Sequence, residues 1–208
     1  MIIGENGAGK STLMKILAGV QQPSLGEIWL NGKQVQLRDT RAAAAHGIGM
    51  VHQHFKLVAP FSVAENLALV ARGVQRKTLR RHAEIRAFMQ RYGVDLDPNA
   101  IVGQLPLALQ QRVEILKALV NDTRVLLLDE HSTILTPAEI SALYATLRRI
   151  SDKGTAVAVV THNVDEVLAH ADRYTVLRRG KTNGSVLTAA CSAEQLVEKI
   201  VGRTVSSG

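Results

Sequence analysis

Cysteine is nearly absent. Cys191 is the one thiol in 208 residues, so no internal disulfide can form, and the composition suits a reducing compartment such as the cytosol. Aromatic residues are scarce, at 3%, so the core has to be built from Val, Leu, Ile and Ala. No apolar run approaches the roughly 20 residues of a membrane-crossing helix. The first residues show no basic segment leading into an apolar one, so neither a span nor a secretory leader is expected. The His52-x-His54 pair has no further His or Cys at ligand spacing, which speaks against zinc. There is no internal repeat, low-complexity stretch or long linker. The length suits one domain, or a domain carrying a small subdomain.

Positive charge is in excess, at +7, but it is spread along the chain. It suits phosphate-containing ligands, nucleic acid or an anionic membrane face, and does not choose among them. The densest cluster, Arg76 to Arg81, reads as a solvated helix face.

The hydrophobic pattern alternates between the two periods. Short apolar runs at Ile48 to Gln53, Val125 to Leu128, Ala156 to Val160 and Arg173 to Leu177 predict strands buried on both faces. Gly26 to Gly32 alternates into an Asn-Gly pair, a hairpin signal. Helices are expected over Lys10 to Ala18, over the stretch from about Ser62 to Leu119, from Thr136 onward, over Val164 to Ala171 and from Ser192 onward. Thr136-Pro137-Ala138-Glu139 combines an N-cap, a first-position Pro and a capping-box Glu. Ser62 with Glu65 and Ser192 with Gln195 repeat the capping box, and Gly93 is a helix stop. Ile85, Phe88, Met89 and Tyr92 recur at helical spacing and read as core. Strand-helix alternation with such short strands predicts an α/β fold with a mostly parallel sheet.

Three segments bear chemistry. Gly4, Glu5, Asn6, Gly7, Ala8, Gly9, Lys10, Ser11 and Thr12 fit the pattern G-x-x-x-x-G-K-[ST]. Glycines let backbone N–H groups curl around phosphate oxygens, and the following helix turns its positive end toward them. Lys10 then reaches the outer phosphates and the Ser11 hydroxyl holds Mg²⁺. The second segment is Leu126 to Glu130, a buried strand ending in two carboxylates. Asp129 suits Mg²⁺ and Glu130 suits polarising an attacking water. The third is His162, just past the Ala156 to Val160 strand, where the carboxyl end of a parallel strand can face a terminal phosphate.

The order of phosphate loop, Gln53, Leu105 to Arg112, Asp129-Glu130 and His162 resembles the ATP-binding domain of ABC transporters over the whole chain. The resemblance implies a P-loop NTPase α/β fold over 1–208 with a helical subdomain at about 55–119. It implies ATP and Mg²⁺ as cofactors. Gln53 would be the glutamine that senses Mg²⁺, alongside Ser11 and Asp129, and the transmembrane partner. His162 would be the switch histidine acting with Glu130 and Gln53 in catalysis. Gly47 to Phe55, Gln110 to Leu119, Leu135 to Glu139 and Glu198 to Arg203 are similar to the amino-terminal cassette of tandem-cassette importers of simple sugars or nucleosides. The His-Gln-His-Phe form leans toward nucleosides. The implied partners are a second cassette, transmembrane permease subunits and, indirectly, a substrate-binding protein, with no nucleic acid. The implied location is the cytoplasmic face of the cell membrane.

Three departures from the family pattern accompany the resemblance. The family's antiparallel strands and adenine-stacking aromatic precede the phosphate-loop strand, and this sequence begins inside that strand, so those N-terminal strands are expected to be missing. The family signature Leu-Ser-x-Gly is here Leu105-Pro106-Leu107-Ala108, which loses the Ser hydroxyl and adds a Cβ where backbone approaches phosphate. The family's Pro-Thr after the catalytic Glu is His131-Ser132. These departures keep open a second reading, an inactive or binding-only cassette. An ABC ATPase acting on nucleic acid is a third, but no heptad run for a long coiled coil lies between Lys10 and Leu105.

Overall fold

The computed structural model describes residues 1–53, 55–79, 81–130 and 135–202. Strands β1 (Ile2–Ile3), β4 (Ile48–Val51), β5 (Val125–Asp129), β6 (Ala156–Thr161), β7 (Arg173–Arg178) and β8 (Lys181–Leu187) form one sheet, and β2 (Ile28–Leu30) and β3 (Lys33–Val35) a separate hairpin. The sheet order is β4-β5-β6-β1-β7-β8. All neighbours are parallel except β7 and β8, which are antiparallel. Helices α1 (Lys10–Leu17), α2 (Thr40–Ala45), α3 (Val63–Val70), α4 (Gly73–Thr78), α5 (His82–Arg91), α6 (Leu107–Leu119), α7 (Pro137–Asp152), α8 (Val164–His170) and α9 (Ala193–Val201) complete the described elements.

Alternation along β5 explains why its apolar run is continuous. Leu126 and Leu128 pack on one face with Ile115, Leu143, Leu147 and Ile150, whereas Leu127 packs on the other with Met14 and Val160. The helices between β4 and β5 have a core of their own around Val63, Leu67, Ile85, Met89, Val113 and Leu116. Helix α6 serves both cores, presenting Val113 and Leu116 to one and Ile115 and Leu119 to the other.

The capping signals are realised. Thr136 Oγ1 accepts from Glu139 N–H at 3.4 Å while Glu139 Oε2 accepts from Thr136 N–H at 2.9 Å, and Pro137 opens α7. Ser62 with Glu65 and Ser192 with Gln195 close the same reciprocal box. Gly93 stops α5 at φ 70°, and Asn31 and Gly32, at φ 51° and 73°, make the two-residue turn of the β2–β3 hairpin.

Three features differ from the sequence expectation. The stretch from Ser62 to Leu119 is not helical throughout. Residues 94–104 fold back across the start of α3, where Val63 N–H donates to Ala100 O at 3.0 Å and Ala64 N–H to Pro98 O at 2.9 Å. Helix α2 is an Ala-rich turn with no apolar stripe, capped by Asp39, whose carboxylate accepts from Ala42 N–H at 2.7 Å. Strand β8 joins β7 through Arg179-Gly180, at φ 49° and 72°, a tight turn without the usual Asn or Asp to announce it.

Two outcomes follow for stability. Leu116→Ala, at a fully buried site, should cost about 3 kcal/mol in denaturant unfolding. The Glu139 carboxyl is held below the usual carboxylate range by hydrogen bonds from Thr136. A carboxyl with a lowered folded pKa stabilises above its unfolded pKa and loses that contribution as pH falls through the folded value. Glu139→Gln should therefore lower Tm at neutral pH, and the gap to the parent should close in acid.

Candidate functional site

The carboxyl ends of four adjacent parallel strands bring the sequence-selected residues to one edge. In sheet order, β4 leads to Gln53, β5 ends at Asp129 and Glu130, β6 leads to His162, and β1 runs into the phosphate loop. This is the edge at which open α/β sheets bind ligands.

The loop is shaped by close approach and by left-handed backbone. A Cβ on Gly4 would stand 2.0 Å from Leu177 O, so only glycine lets the chain leave β1 past β7. Gly7 and Gly9 adopt φ 79° and 100°, and Gly9 is the N-cap of α1. Ala8 N–H donates to Glu5 O at 3.1 Å, and Gly180 N–H to Ala8 O at 3.0 Å, which pins the loop to the β7–β8 turn. Leu13 N–H is bonded to Gly9 O at 3.0 Å, so the N–H groups of Lys10, Ser11 and Thr12 precede the first helical bond of this end. Such an end suits an anion.

Lys10 is 5% exposed. Its ammonium donates to Gly4 O at 2.8 Å and Glu5 O at 3.0 Å, and lies 3.8 Å from Glu130 Oε1. Ser11 Oγ donates to Asp129 Oδ1 at 3.1 Å, reaching across β6 to the buried end of β5. A hydroxyl beside a carboxylate is a hard-oxygen pair of the kind that suits Mg²⁺. Glu130 takes φ 45°, a left-handed conformation unusual for Glu, and its N–H donates to Val160 O at 3.2 Å. His162 Nδ1 lies 3.8 Å from Glu130 Oε1. Glu130 thus stands between a buried cation and a half-exposed imidazole.

Gln53 is exposed beyond β4, and among the described residues no hydrogen bond ties its side chain to Lys10, Ser11, Asp129, Glu130 or His162. His54, of the His52-x-His54 pair, lies outside the described residues, as do His131-Ser132 and Arg203. Burial and the charge of Lys56 lower the pKa of His52. Pro106 is the N-cap of α6 with no side-chain cap, and Leu107 beside it is 40% exposed. The signature position therefore offers no hydroxyl.

Sequence reasoning missed a group of buried polar residues behind the site. Thr161, Glu166 and Tyr144 are joined by hydrogen bonds at the base of the His162 turn. It also missed Glu114 and Lys117 of α6, which hold the main chain of Lys56: the Glu114 carboxylate accepts from its N–H and Lys117 donates to its carbonyl. The packing of distant segments is what brings Tyr144 to Glu166 and Lys56 to Glu114 and Lys117.

The model of a family described as ABC transporter matches residues 1–133. The chain is 42% identical over 208 residues to the nucleoside import ATP-binding protein NupA of Lactococcus lactis, covering 99% of this chain and 41% of that protein. It is 40% identical to the ribose import ATP-binding protein RbsA 3 of Rhizobium meliloti, with the same coverage of 99% and 41%. The chain thus spans about two-fifths of the length of these curated relatives. Among solved structures, cbiO1 from Clostridium perfringens, part of the transporter complex cbiONQ, is 26% identical with a TM-score of 0.79, over 96% of this chain and 79% of that one. An ATP-binding cassette of an ABC transporter in its ADP conformation, 18% identical, shares the fold with a TM-score of 0.81 over 99% and 87%.

If the loop cradles phosphate, Lys10→Ala should weaken nucleoside triphosphate binding about ten- to a hundredfold, the loss of charge-assisted hydrogen bonds. Titration calorimetry on the chain and the variant measures this; equal affinities would sink the assignment.

Proposed function

The chain belongs to the ABC transporter family, and from this premise we propose that it is the ATP-binding and ATP-hydrolysing part of an importer for a simple sugar or nucleoside. The observation that supports hydrolysis is the placement of Glu130 3.8 Å from both Lys10 and His162, beside the Ser11–Asp129 pair. The import names of relatives at 40–42% identity support the direction and cargo class.

In this reading, Gly4 to Thr12 wrap the phosphates of ATP with backbone N–H groups and the helix end of α1. Lys10 exchanges its bonds to Gly4 and Glu5 carbonyls for phosphate oxygens. Ser11 and Asp129, with Gln53, would hold Mg²⁺, which would neutralise phosphate charge when bound. Glu130 accepts a proton from the water whose oxygen bonds to the γ-phosphorus as the bond to the β–γ bridging oxygen breaks and ADP leaves, and His162 faces the transferring phosphoryl group from the neighbouring strand end. The shared position of these residues along one sheet edge supports these roles.

The partners in this proposal are a second cassette, permease subunits and, through them, a substrate-binding protein. The chain would work at the cytoplasmic face of the membrane. No helix among the described residues is long and apolar enough to cross a membrane, so membrane attachment would come through the permease. The segment of helices α3 to α6, with its own core, is proposed as the subdomain that meets it.

Pro106 and Ala108 favour a second reading for the chain by itself, a cassette that binds without turnover. Paired with its own copy, it would put the altered signature into both composite sites. Paired with a second cassette of normal signature, it would place the site of Lys10, Ser11, Gln53, Asp129, Glu130 and His162 against an intact partner. In such a complex, Glu130→Gln should lower ATP turnover by about a hundredfold or more, the usual scale for losing a group at the reacting phosphate. Restoring Pro106→Ser with Ala108→Gly should change the rate by no more than a few-fold, about 1 kcal/mol. A large gain from the restored signature, with Glu130→Gln near the parent rate, would contradict the proposal.

A further inference from the structure

We propose that Thr161, Glu166 and Tyr144 are positioning residues that hold the His162 turn against Glu130. The proposal deepens the reading of His162 given above and rests on it.

The argument begins with the turn itself. His162 lies between the end of β6 and Asn163, the N-cap of α8. Its imidazole is 53% exposed, and its packing alone does not fix it. The residues on either side are fixed. Asn163 N–H donates to Thr161 Oγ1 at 3.0 Å, a bond that spans His162. Thr161 Oγ1 donates in turn to Glu166 Oε2 at 3.1 Å, and Tyr144 Oη donates to the same oxygen at 2.7 Å. Asn163 Oδ1 accepts from the N–H groups of Asp165 and Glu166 at 2.9 and 3.4 Å, which ties the far side of the turn to the first turn of α8.

All three members are buried: Thr161 is 2% exposed, and Tyr144 and Glu166 are 6% exposed. Burying a carboxylate costs free energy unless hydrogen bonds satisfy it, and here two hydroxyls converge on one of its oxygens. Apolar residues would fill the same space without that cost. Anchors at both ends make the network stiff. Thr161 is registered against Ile3 of β1, and the Tyr144 ring stacks on His170 at 4.2 Å and 11°. The result is a continuous line from α7, through the first turn of α8, to the one-residue turn that presents His162. Glu130 Oε1 lies 3.8 Å from Nδ1 of that imidazole. Removing the Thr161 hydroxyl cuts the line at the turn, and removing the Tyr144 hydroxyl loosens it from behind.

The test reads His162 itself, in the full chain with ¹³C-labelled histidine at fixed neutral pH. The imidazole resonance is assigned by its loss in His162→Gln. Glu130→Gln should move that resonance in the parent, because it removes a carboxylate charge next to the ring. Thr161→Val, close to isosteric, should abolish this response, and Thr161→Ser, which keeps the hydroxyl, should preserve it. Tyr144→Phe, which retains the ring and its stacking on His170, should diminish the response and stands in if Thr161→Val does not fold. A parent-sized response to Glu130→Gln in the Thr161→Val and Tyr144→Phe backgrounds would overturn the proposal while leaving the site reading in place. An unmoved parent resonance on Glu130→Gln would instead overturn the pairing of His162 with Glu130, and the proposal with it.

Discussion

Ile2 and Ile3 pair with Val160 and Thr161 on one side and with Thr175 and Val176 on the other, and the whole sheet edge takes its position from that register. The phosphate loop leaves β1 one residue later, so the register sets its height relative to His162 on β6 and to the β7–β8 turn. A slip of one residue would exchange the faces of Ile2 and Ile3 and carry Gly4 off the Leu177 carbonyl that it alone can pass. Ser11 could not then meet Asp129 two strands away. Parallel pairing on both sides is what makes two residues enough, because β6 and β7 are themselves locked by β5 and β8.

Much of this edge was legible in the sequence because each part of it is local. The glycine spacing of the loop, the apolar run ending in Asp129-Glu130 and the His after a buried strand are signals within a few residues of chain. Capping boxes at Ser62, Thr136 and Ser192 were legible for the same reason, since both partners lie within one turn. The unread parts are those whose meaning depends on distant partners or weak local chemistry. Helix α2 buries little more than Ala43 and has no stripe to read. Strand β8 follows an Arg-Gly turn and contains Thr, Asn, Gly and Ser, which carry little strand signal. Tyr144 carries no local signal of its role, because its hydroxyl finds Glu166 twenty-two residues on. Gln53 was found by resemblance, and its side chain stands apart from the other groups.

Helix α6 gathers several of these threads. Its N-terminus bears Pro106 where the family has Ser, and its middle bears Glu114 and Lys117, which grip the main chain of Lys56 three residues past Gln53. Glu114 and Lys117 also meet each other at 3.3 Å with little exposure. The altered signature and the segment that follows Gln53 are therefore attached to one rigid rod.

That rod also has a thermodynamic consequence. Val113 and Leu116 belong to the helical core, while Ile115 and Leu119 belong to the sheet core, and all four are almost fully buried. Opening of the helical layer would expose Val113 and Leu116 to water on a helix that Ile115 and Leu119 still hold to the sheet. Each layer therefore supports the helix on which the other packs, and this couples their stabilities. Freedom between them is left to the segments that enter and leave α6, not to the helix itself.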